Sequence, residues 1–400
     1  MDTVSVVEIH RCDAGWRNYY FVKVTTDDGV VGWSEFDEGF GSPGVGTIVA
    51  HLAPRVVGQS VARHQRVIGG LYFATRPGAG SAVGEAIGAI ENALLDAHAR
   101  TLGVPCHELF GGKLRELVRV YWSHAPTWRV VRPEVYGSSI TDRAGLVALG
   151  EEVRDRGFTA LKTNLFRTSD GRLSGWVPGF GRPYAPELVA DRALRRDLVD
   201  HLSALREGAG DDVDILLDLN FNFRTSGYLA ILRAVGDQDL FWVEIDTDSP
   251  KALALLRQQS QHRISGCETL IGAAAFTPYL AAEAIDVAII DGVWNGMWQA
   301  LGIATLANAH QVNSAPHNFY GHLATFMNLH WSAAVPNLEI MEVDVDRLPW
   351  DADLFTCVPE FVDGHLVVPD TPGWGCEPDE TALAAHPPRD SAPPVWQTGS

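Results

Sequence analysis

The segment Asp214-Ile-Leu-Leu-Asp-Leu-Asn-Phe-Asn222 is a short apolar run that ends in polar residues. Ile215 to Leu217 predict a buried β-strand that would carry Asp218 and Asn220 at its C-terminal end. Acids and one histidine then follow further apolar runs at intervals of 26, 24, 23, 26 and 25 residues, namely Glu244, Glu268, Asp291, His317 and Glu342. Each interval has room for one helix and two loops. The repeat predicts a (β/α) barrel, in which the chemistry collects at the C-terminal ends of the strands.

Composition limits the class of protein. The chain has 400 residues, which is more than one compact domain usually holds, so two domains are expected. Its formal charge of −19 argues against nucleic acid or an anionic membrane as a partner. The five cysteines have no metal-type spacing, and the N-terminus, Met-Asp-Thr-Val-Ser, lacks the pattern of a signal peptide. We therefore expect a cytoplasmic protein with reduced thiols.

The part of the chain before the repeats has a different pattern. Residues 1–117 predict an α+β domain, with strands over 4–9, 19–24 and 30–33 and a long amphipathic helix over 83–102. The barrel is expected over residues 118–345.

Three other segments lie outside the strand and helix repeats. Residues 346–380 should return to the first domain, and the proline-rich residues 381–400 should form a mobile tail. Within the barrel, residues 166–186 are rich in glycine and proline and predict a long loop over the barrel mouth.

Three carboxylates from consecutive strands, Asp218, Glu244 and Glu268, predict a metal site. Oxygen ligands of this kind suit Mg²⁺, which keeps its other positions for water or substrate. Zn²⁺ fits less well, because no histidine or cysteine accompanies the acids at ligand spacing. Solvated acids at strand ends are the alternative interpretation, and the regular interval argues against it.

A general base beside this metal is expected to be His317, since imidazole titrates near working pH. Asp291, one strand earlier, could orient that ring and raise its pKa. His322 and His310 are weaker alternatives.

The second and the last barrel strands also end in charged residues. Lys162 could bind a substrate carboxylate or act as a base, or it could extend to solvent. Glu342 could hydrogen-bond a substrate oxygen, and Glu339 competes with it for that role.

The ordered set of motifs resembles the enolase superfamily, in its mandelate racemase branch. The resemblance rests on residues 86–112, on Asp218-x-Asn220, Glu244 and Glu268, on Ile290-Asp291 and Pro316-His317, and on the segment Pro336–Glu342. It implies an N-terminal α+β capping domain followed by a modified (β/α)7β barrel. It also implies one Mg²⁺ per subunit, a homo-oligomer such as an octamer, and removal of the proton α to a carboxylate with stabilisation of the enediolate.

One departure from the family pattern bears on the reaction. Relatives with bases on both faces of the substrate carry Lys-x-Lys, whereas this chain has Lys162-Thr-Asn164, and an amide cannot abstract a proton. We therefore expect dehydration of a sugar acid to a 2-keto-3-deoxy acid. A cycloisomerase, or a racemase or epimerase, is the alternative, and a non-catalytic sugar-acid binding protein is a third possibility.

The general acid for the leaving hydroxyl stays open between His317, Lys162, Tyr184 and His124. We also expect a group of residues to contact the substrate: Trp16, Arg17, His124, Asn164, Tyr184 and Asn220.

Overall fold

The computed structural model describes residues 2–39, 42–78, 80–178 and 189–389 of the chain. It is an α/β structure with a small N-terminal sheet and a large, mostly parallel sheet. None of the described helices is both long enough and apolar enough to cross a membrane.

The N-terminal region is an antiparallel sheet with helices on one side. Its strands are β1 (Val4–Asp13), β2 (Asn18–Thr26) and β3 (Val31–Phe36), in that order. Its helices are α1 (Val45–Val56), α2 (His64–Thr75), α3 (Ser81–Leu102) and α4 (Cys106–Leu109). The three expected strands and the long helix are present, and each strand is longer than the range expected for it.

Eight strands form the barrel: β4 (Leu117–Ser123), β5 (Ala160–Thr163), β8 (Asp214–Asp218), β9 (Trp242–Glu244), β10 (Ile264–Gly266), β11 (Val287–Ile290), β12 (Asn313–Pro316) and β13 (Met341–Asp344). They pair in parallel from β4 to β12, and β13 pairs with β4. A bridge from Ser314 to Leu338, just before β13, closes the ring.

The strands alternate with helices, and one main helix lies between each strand and the next. These helices are α7 (Arg143–Asp155), α8 (Arg192–Ala209), α9 (Thr225–Ala234), α10 (Pro250–Gln259), α11 (Ala273–Ala281), α13 (Met297–Ala309) and α14 (His322–Ala334). Shorter helices are α5 (Thr127–Val131), α6 (Pro133–Tyr136), α12 (Gly292–Asn295) and α15 (Glu380–Ala385). The connectivity is the expected (β/α)7β.

The interior of the barrel is filled by alternate residues of its strands. This apolar interior cluster consists of Tyr121, Ala160, Leu216, Trp242, Val287, Ile289, Ala315 and Ile340. Because successive side chains of a strand point to opposite faces, the next inward positions lie two residues further on, toward the C-terminal ends.

The prediction of a loop over residues 166–186 is wrong for its first part, which forms two strands. Phe166–Ser169 (β6) and Arg172–Gly175 (β7) form an antiparallel hairpin across Asp170-Gly171. Both turn residues have positive φ, +50° and +76°, which is the geometry that an Asp-Gly turn favours. The Asp-Gly pair was therefore a readable signal for this hairpin. Tyr184 lies outside the described residues.

The C-terminal segment also differs in part from expectation. His365–Val367 (β15) pairs with β4 of the barrel and with Phe361–Val362 (β14). Trp374, in contrast, donates its indole N–H to the carbonyl of Trp33 in the N-terminal sheet.

The first residues of the expected mobile tail are packed. His386 stacks on Trp350, and the Arg389 side chain pairs with Asp13 at 2.9 Å. These residues therefore bind the edge of the N-terminal sheet.

Candidate active site

The functional side chains form one layer directly above the apolar interior cluster. Lys162, Asp218, Glu244, His317 and Glu342 each lie two residues beyond a member of that cluster, in or directly next to the same strand. The period of the β-strand therefore turns all five into the barrel mouth, as the spacing of the sequence predicts. All five are buried.

Lys162 lies among carboxylates from other strands. Its Nζ atom is 3.0 Å from Glu342 Oε1, 3.3 Å from Glu244 Oε2 and 3.7 Å from Asp218 Oδ2. Burial disfavours the ammonium, but the surrounding carboxylates outweigh it and hold the pKa of Lys162 well above its usual range. Lys162 is therefore a buried cation and does not extend to solvent.

Asn164 and Asn220 hold Asp218 in place. The Asn220 backbone N–H donates to Asp218 Oδ1 at 2.8 Å, and its side-chain amide donates to Oδ2 at 2.9 Å. Asn220 has φ +44°, a left-handed conformation that asparagine tolerates better than most residues. The Asn164 amide also donates to Asp218 Oδ2, at 3.3 Å.

The acids at the barrel mouth, Glu268 included, carry more negative charge than their protein partners balance. Burial, together with repulsion from Asp218 and Glu342, raises the pKa of Glu244 to about 7, although Lys162 opposes the shift. Burial and the neighbouring acids, Asp246 first, likewise raise the pKa of Glu268 well above its usual range. Glu244 Oε1 is buried without a hydrogen-bond partner among the described residues.

These residues fit a hard divalent cation. Hard oxygen donors that repel one another, one of them an orphaned oxygen, are the surroundings in which such an ion is stabilised. Across the described parts of the chain, no three acids, histidines or cysteines are already closed into a metal-ligand set. Lys162 contacts two of the three proposed metal acids, Asp218 and Glu244.

His317 and Asp291 form a hydrogen-bonded pair, which we call the dyad. His317 Nδ1 is 2.6 Å from Asp291 Oδ2. The other Asp291 oxygen accepts from the Trp294 backbone N–H at 2.7 Å, and the Tyr320 hydroxyl donates to Oδ2. Because Asp291 holds Nδ1, the other ring nitrogen, Nε2, is the one that faces the acids of the mouth.

The charge of the dyad depends on the neighbouring acids. Burial disfavours the imidazolium, but Glu268, whose Oε2 lies 3.5 Å from Nε2, and Asp291 outweigh it and raise the pKa of His317 to about 10. The protonation of His317 is thus favoured by the negative charge of Glu268.

The N-terminal region supports the loop that carries Asp291. Asn92 on α3 donates to the carbonyl of Gly292 at 3.2 Å and accepts from the Met297 N–H at 2.7 Å. Gly88 allows this close approach, since a Cβ there would lie 2.7 Å from the Gly296 nitrogen.

Glu342 faces the site and Glu339 does not. Glu342 accepts from the Asn318 backbone N–H at 2.8 Å and from the Ser123 hydroxyl. Burial alone would raise its pKa, but Lys162 and His317 outweigh this and hold it well below the usual range. Glu339 lies at the other end of the barrel, where it pairs with Arg263 at 2.8 Å.

His124 lies at the end of the first barrel strand. Its Nδ1 is 2.7 Å from the Ser123 hydroxyl, and its ring stacks on Trp128 at 4.7 Å. Burial lowers the pKa of His124 to about 3, so the ring is neutral.

Trp16 and Arg17 reach the mouth from the N-terminal region. Trp16 packs on Trp128, and the Arg17 guanidinium donates to the carbonyl of Phe319. Phe319 in turn contacts the His317 ring, with centroids 5.0 Å apart.

The weaker histidine candidates lie elsewhere. His322 Nε2 pairs with Asp351 Oδ2 at 3.1 Å and not with the proposed metal acids. His310 is exposed at the end of α13.

Three residues of the site had no place in the sequence analysis: Ser123, Asp246 and Tyr320. Ser123 and Asp246 continue the inward alternation of β4 and β9, so strand periodicity was a usable signal for both. Tyr320 lies in the loop after β12, where no period applies.

Two family models match the chain. The description of one is "Mandelate racemase / muconate lactonizing enzyme, N-terminal domain", over residues 6–111, and that of the other is "Enolase C-terminal domain-like", over residues 145–382.

Individual relatives cover nearly the whole chain. A D-galactonate dehydratase family member of Streptomyces bingchenggensis is 28% identical over 98% of this chain and 94% of its own length. A D-xylonate dehydratase of Haloferax volcanii is 28% identical over 92% of this chain and 85% of its own.

A solved structure from Burkholderia xenovorans strain LB400, bound to magnesium and fumarate, is 57% identical. It has a TM-score of 0.96 and covers 98% of this chain and 97% of its own; its protein is provisionally named an L-alanine-DL-glutamate epimerase. The chain therefore belongs to the mandelate racemase/muconate lactonizing enzyme family of the enolase superfamily.

Proposed function

We propose that this protein is a Mg²⁺-dependent sugar-acid dehydratase. It removes the proton α to the substrate carboxylate and expels the β-hydroxyl, which gives a 2-keto-3-deoxy acid. The observation that carries the proposal is the asymmetry of the mouth. The His317–Asp291 dyad provides one base, whereas Lys162 is bound among three carboxylates and Asn164 has no basic form.

The residues have distinct roles in this scheme. Asp218, Glu244 and Glu268 would hold the cation, and the acids leave buried negative charge for it to neutralise. When bound, Mg²⁺ supplies electrostatic stabilisation of the enediolate. Lys162 and Glu342 lie 3.0 Å apart, where they can orient a substrate carboxylate, one by charge and the other as a hydrogen-bond partner of the oxygen that becomes enolic.

His317 is both the base and the acid in the simplest scheme. A cation held by Glu268 would offset the charge of that carboxylate, which is one of the groups that keep His317 protonated, and Nε2 of the neutral ring could then accept the α-proton. The same nitrogen then returns that proton to the departing β-hydroxyl, so a syn elimination needs no second titrating group.

The hydrogen bonds of His124 argue against its use as the acid. The Ser123 hydroxyl donates its single proton to Glu342, so His124 must donate from Nδ1 to Ser123. A neutral imidazole then has no proton on Nε2. His124 is suited to accept a hydrogen bond from a substrate hydroxyl.

Epimerisation is the second candidate, because the 57% identical relative carries that provisional name. Epimerisation at the α-carbon requires proton return on the opposite face. Lys162 could return that proton only by becoming a free amine, and its three acidic neighbours oppose that form. The dehydratase names of the relatives at 28% identity support elimination.

The test is a screen of aldonic and aldaric acids with Mg²⁺, with 2-keto acid formation read as the semicarbazone. His317→Asn should lower the rate by at least about 100-fold, in line with the loss of a general base. His310→Asn makes the same change at an exposed site and should match the wild type.

Parallel incubation in D₂O distinguishes the other outcomes. Deuterium incorporation with inversion at the α-carbon, and without a keto product, would establish an epimerase. A new product without a keto group and without inversion would indicate cycloisomerisation. Equal dehydration by wild type and His317→Asn would remove His317 from the mechanism.

A further inference from the structure

Asp246 continues the inward face of β9 one step beyond Glu244. Trp242 belongs to the apolar interior cluster, Glu244 lies in the charged layer, and Asp246 is the next residue of the same alternation. Period-two geometry therefore turns its carboxylate toward the mouth, beside the proposed metal acids.

The Asp246 carboxylate is buried without a matched partner. The residue is 4% exposed, and neither Oδ1 nor Oδ2 has a partner in hydrogen-bond geometry among the described residues, although the Cys267 amide lies near. The backbone next to it, in contrast, is held by the neighbouring strand, because the Ile245 N–H donates to the Ser265 carbonyl at 3.0 Å. The backbone is thus fixed while the charged group is left open, which is costly unless something else binds it.

Repulsion identifies the kind of ligand that is needed. Asp246 interacts unfavourably with Glu244, Asp218 and Glu268, and Lys162 is the cation that opposes this. Lys162 is nearest to Glu342 and Glu244, at 3.0 and 3.3 Å, so it does not neutralise the whole group. A substrate hydroxyl could donate a hydrogen bond to Asp246, but it would add no positive charge. A divalent cation would do both through its coordinated water.

We propose that Asp246 is a fourth carboxylate of the divalent-cation site, and that it binds the ion together with Asp218, Glu244 and Glu268, directly or through a coordinated water. The inference rests on the proposed function, because it presupposes that those three acids hold a metal. A cation that retains water, as Mg²⁺ does, can use such an additional acid without a change in its preferred geometry.

The test is titration of metal-free protein with Mg²⁺ by isothermal titration calorimetry, without substrate. Asp246→Asn keeps the shape and removes the charge, and we expect Mg²⁺ to bind about 10–100-fold more weakly, the range typical of groups that support metal ligands. Asp248→Asn is the matched control, since Asp248 lies on the same loop, is exposed and should leave the affinity unchanged. Asp246→Glu restores the charge and should recover part of the affinity.

Thermal unfolding provides a second measurement that separates the outcomes. Without Mg²⁺, Asp246→Asn should be at least as stable as wild type, because it relieves repulsion, and Mg²⁺ should raise its Tm less. If wild type binds no Mg²⁺, the proposed metal site itself fails. If wild type binds Mg²⁺ and Asp246→Asn binds it equally well, or if the variant only loses metal-free stability, Asp246 has a structural role and this inference is overturned.

Discussion

The two ends of the same barrel treat charge in opposite ways. At the N-terminal end of the strands, acids have dedicated arginines: Asp214 with Arg119 at 2.7 Å, Asp286 with Arg257 at 2.8 Å and Glu339 with Arg263 at 2.8 Å. At the C-terminal end, Lys162 is shared by three carboxylates, and Glu244 and Asp246 keep oxygens without partners in the described part of the chain.

Exposure makes this difference an energetic one. The side chains of the pair between Arg263 and Glu339 are 37% and 16% exposed, whereas those of Lys162 and Glu342 are 2% and 0% exposed. Exposed pairs are worth roughly 0.2–1 kcal/mol, but an unbalanced buried charge costs several kcal/mol. The charges at the N-terminal end of the barrel, which we call the barrel bottom, are therefore balanced within the protein. The charges at the mouth would be balanced only when a cation is bound there.

The largest expected difference between the ends concerns metal affinity. Glu268→Gln should weaken Mg²⁺ binding by more than about 100-fold, since loss of a ligand should exceed the 10–100-fold cost of losing a supporting group. Glu339→Gln removes the same charge at the N-terminal end of the barrel and should bind Mg²⁺ like the wild type. Calorimetric titration of both metal-free variants measures this. Equal affinities would place the cation elsewhere and remove the functional meaning of the comparison.

A smaller effect is expected for stability when the shared cation is removed. Lys162→Met leaves buried acids without their cation and should cost about 3–5 kcal/mol of unfolding free energy in metal-free protein. Arg263→Met at the N-terminal end of the barrel should lower the unfolding free energy by about 0.2–1 kcal/mol. Urea unfolding with EDTA and then with saturating Mg²⁺ checks both. Mg²⁺ should recover part of the loss for Lys162→Met only, and similar losses for the two variants would contradict the comparison.

Strand periodicity explains how much of the site could be predicted from sequence. Asp218, Glu244, Asp291, His317 and Glu342 follow apolar runs at a regular interval, and the period of two fixes the direction of each side chain. A (β/α) barrel follows from the same pattern, whereas its (β/α)7β form was implied by the family resemblance.

Features that depend on contacts between distant segments could not be predicted in this way. The sharing of Lys162 by acids of three other strands, the Tyr320 hydroxyl on Asp291 and the support of Gly292 by Asn92 are contacts of that kind. The residues around Glu339 and Glu342 left both open, the family resemblance favoured Glu342, and the partners at each end of the strand show the physical difference between them. The β6–β7 hairpin is a different case, because its Asp-Gly signal was present and was outweighed by the surrounding glycines and prolines.

The subtlest expected difference is in the dependence of stability on pH, and it can be measured around a single strand. Glu339 precedes β13 and Asp344 ends it. The hydrogen bond from Arg263 lowers the pKa of Glu339, whereas burial raises the pKa of Asp344 to about 7 although Arg17 opposes it. Asp344 therefore keeps its proton in the folded state between about pH 4 and 7, where the unfolded chain has released it, so wild-type stability falls as pH rises through that window.

Removing either carboxylate should change the pH dependence of stability, and the change should have the opposite sign for Asp344 and for Glu339. Asp344→Asn removes the falling contribution and still offers an oxygen to the Trp128 indole, so its stability relative to wild type should rise from about pH 4 to 7. Glu339→Gln removes a contribution that is present above the unfolded pKa of about 4.3 and lost below it, so its relative stability should fall as pH rises through that lower range. Urea unfolding from pH 3.5 to 7.5 in EDTA measures both slopes. If both variants changed in the same direction with pH, the two ends of this strand would not differ in how their charges are balanced, and the comparison would be wrong.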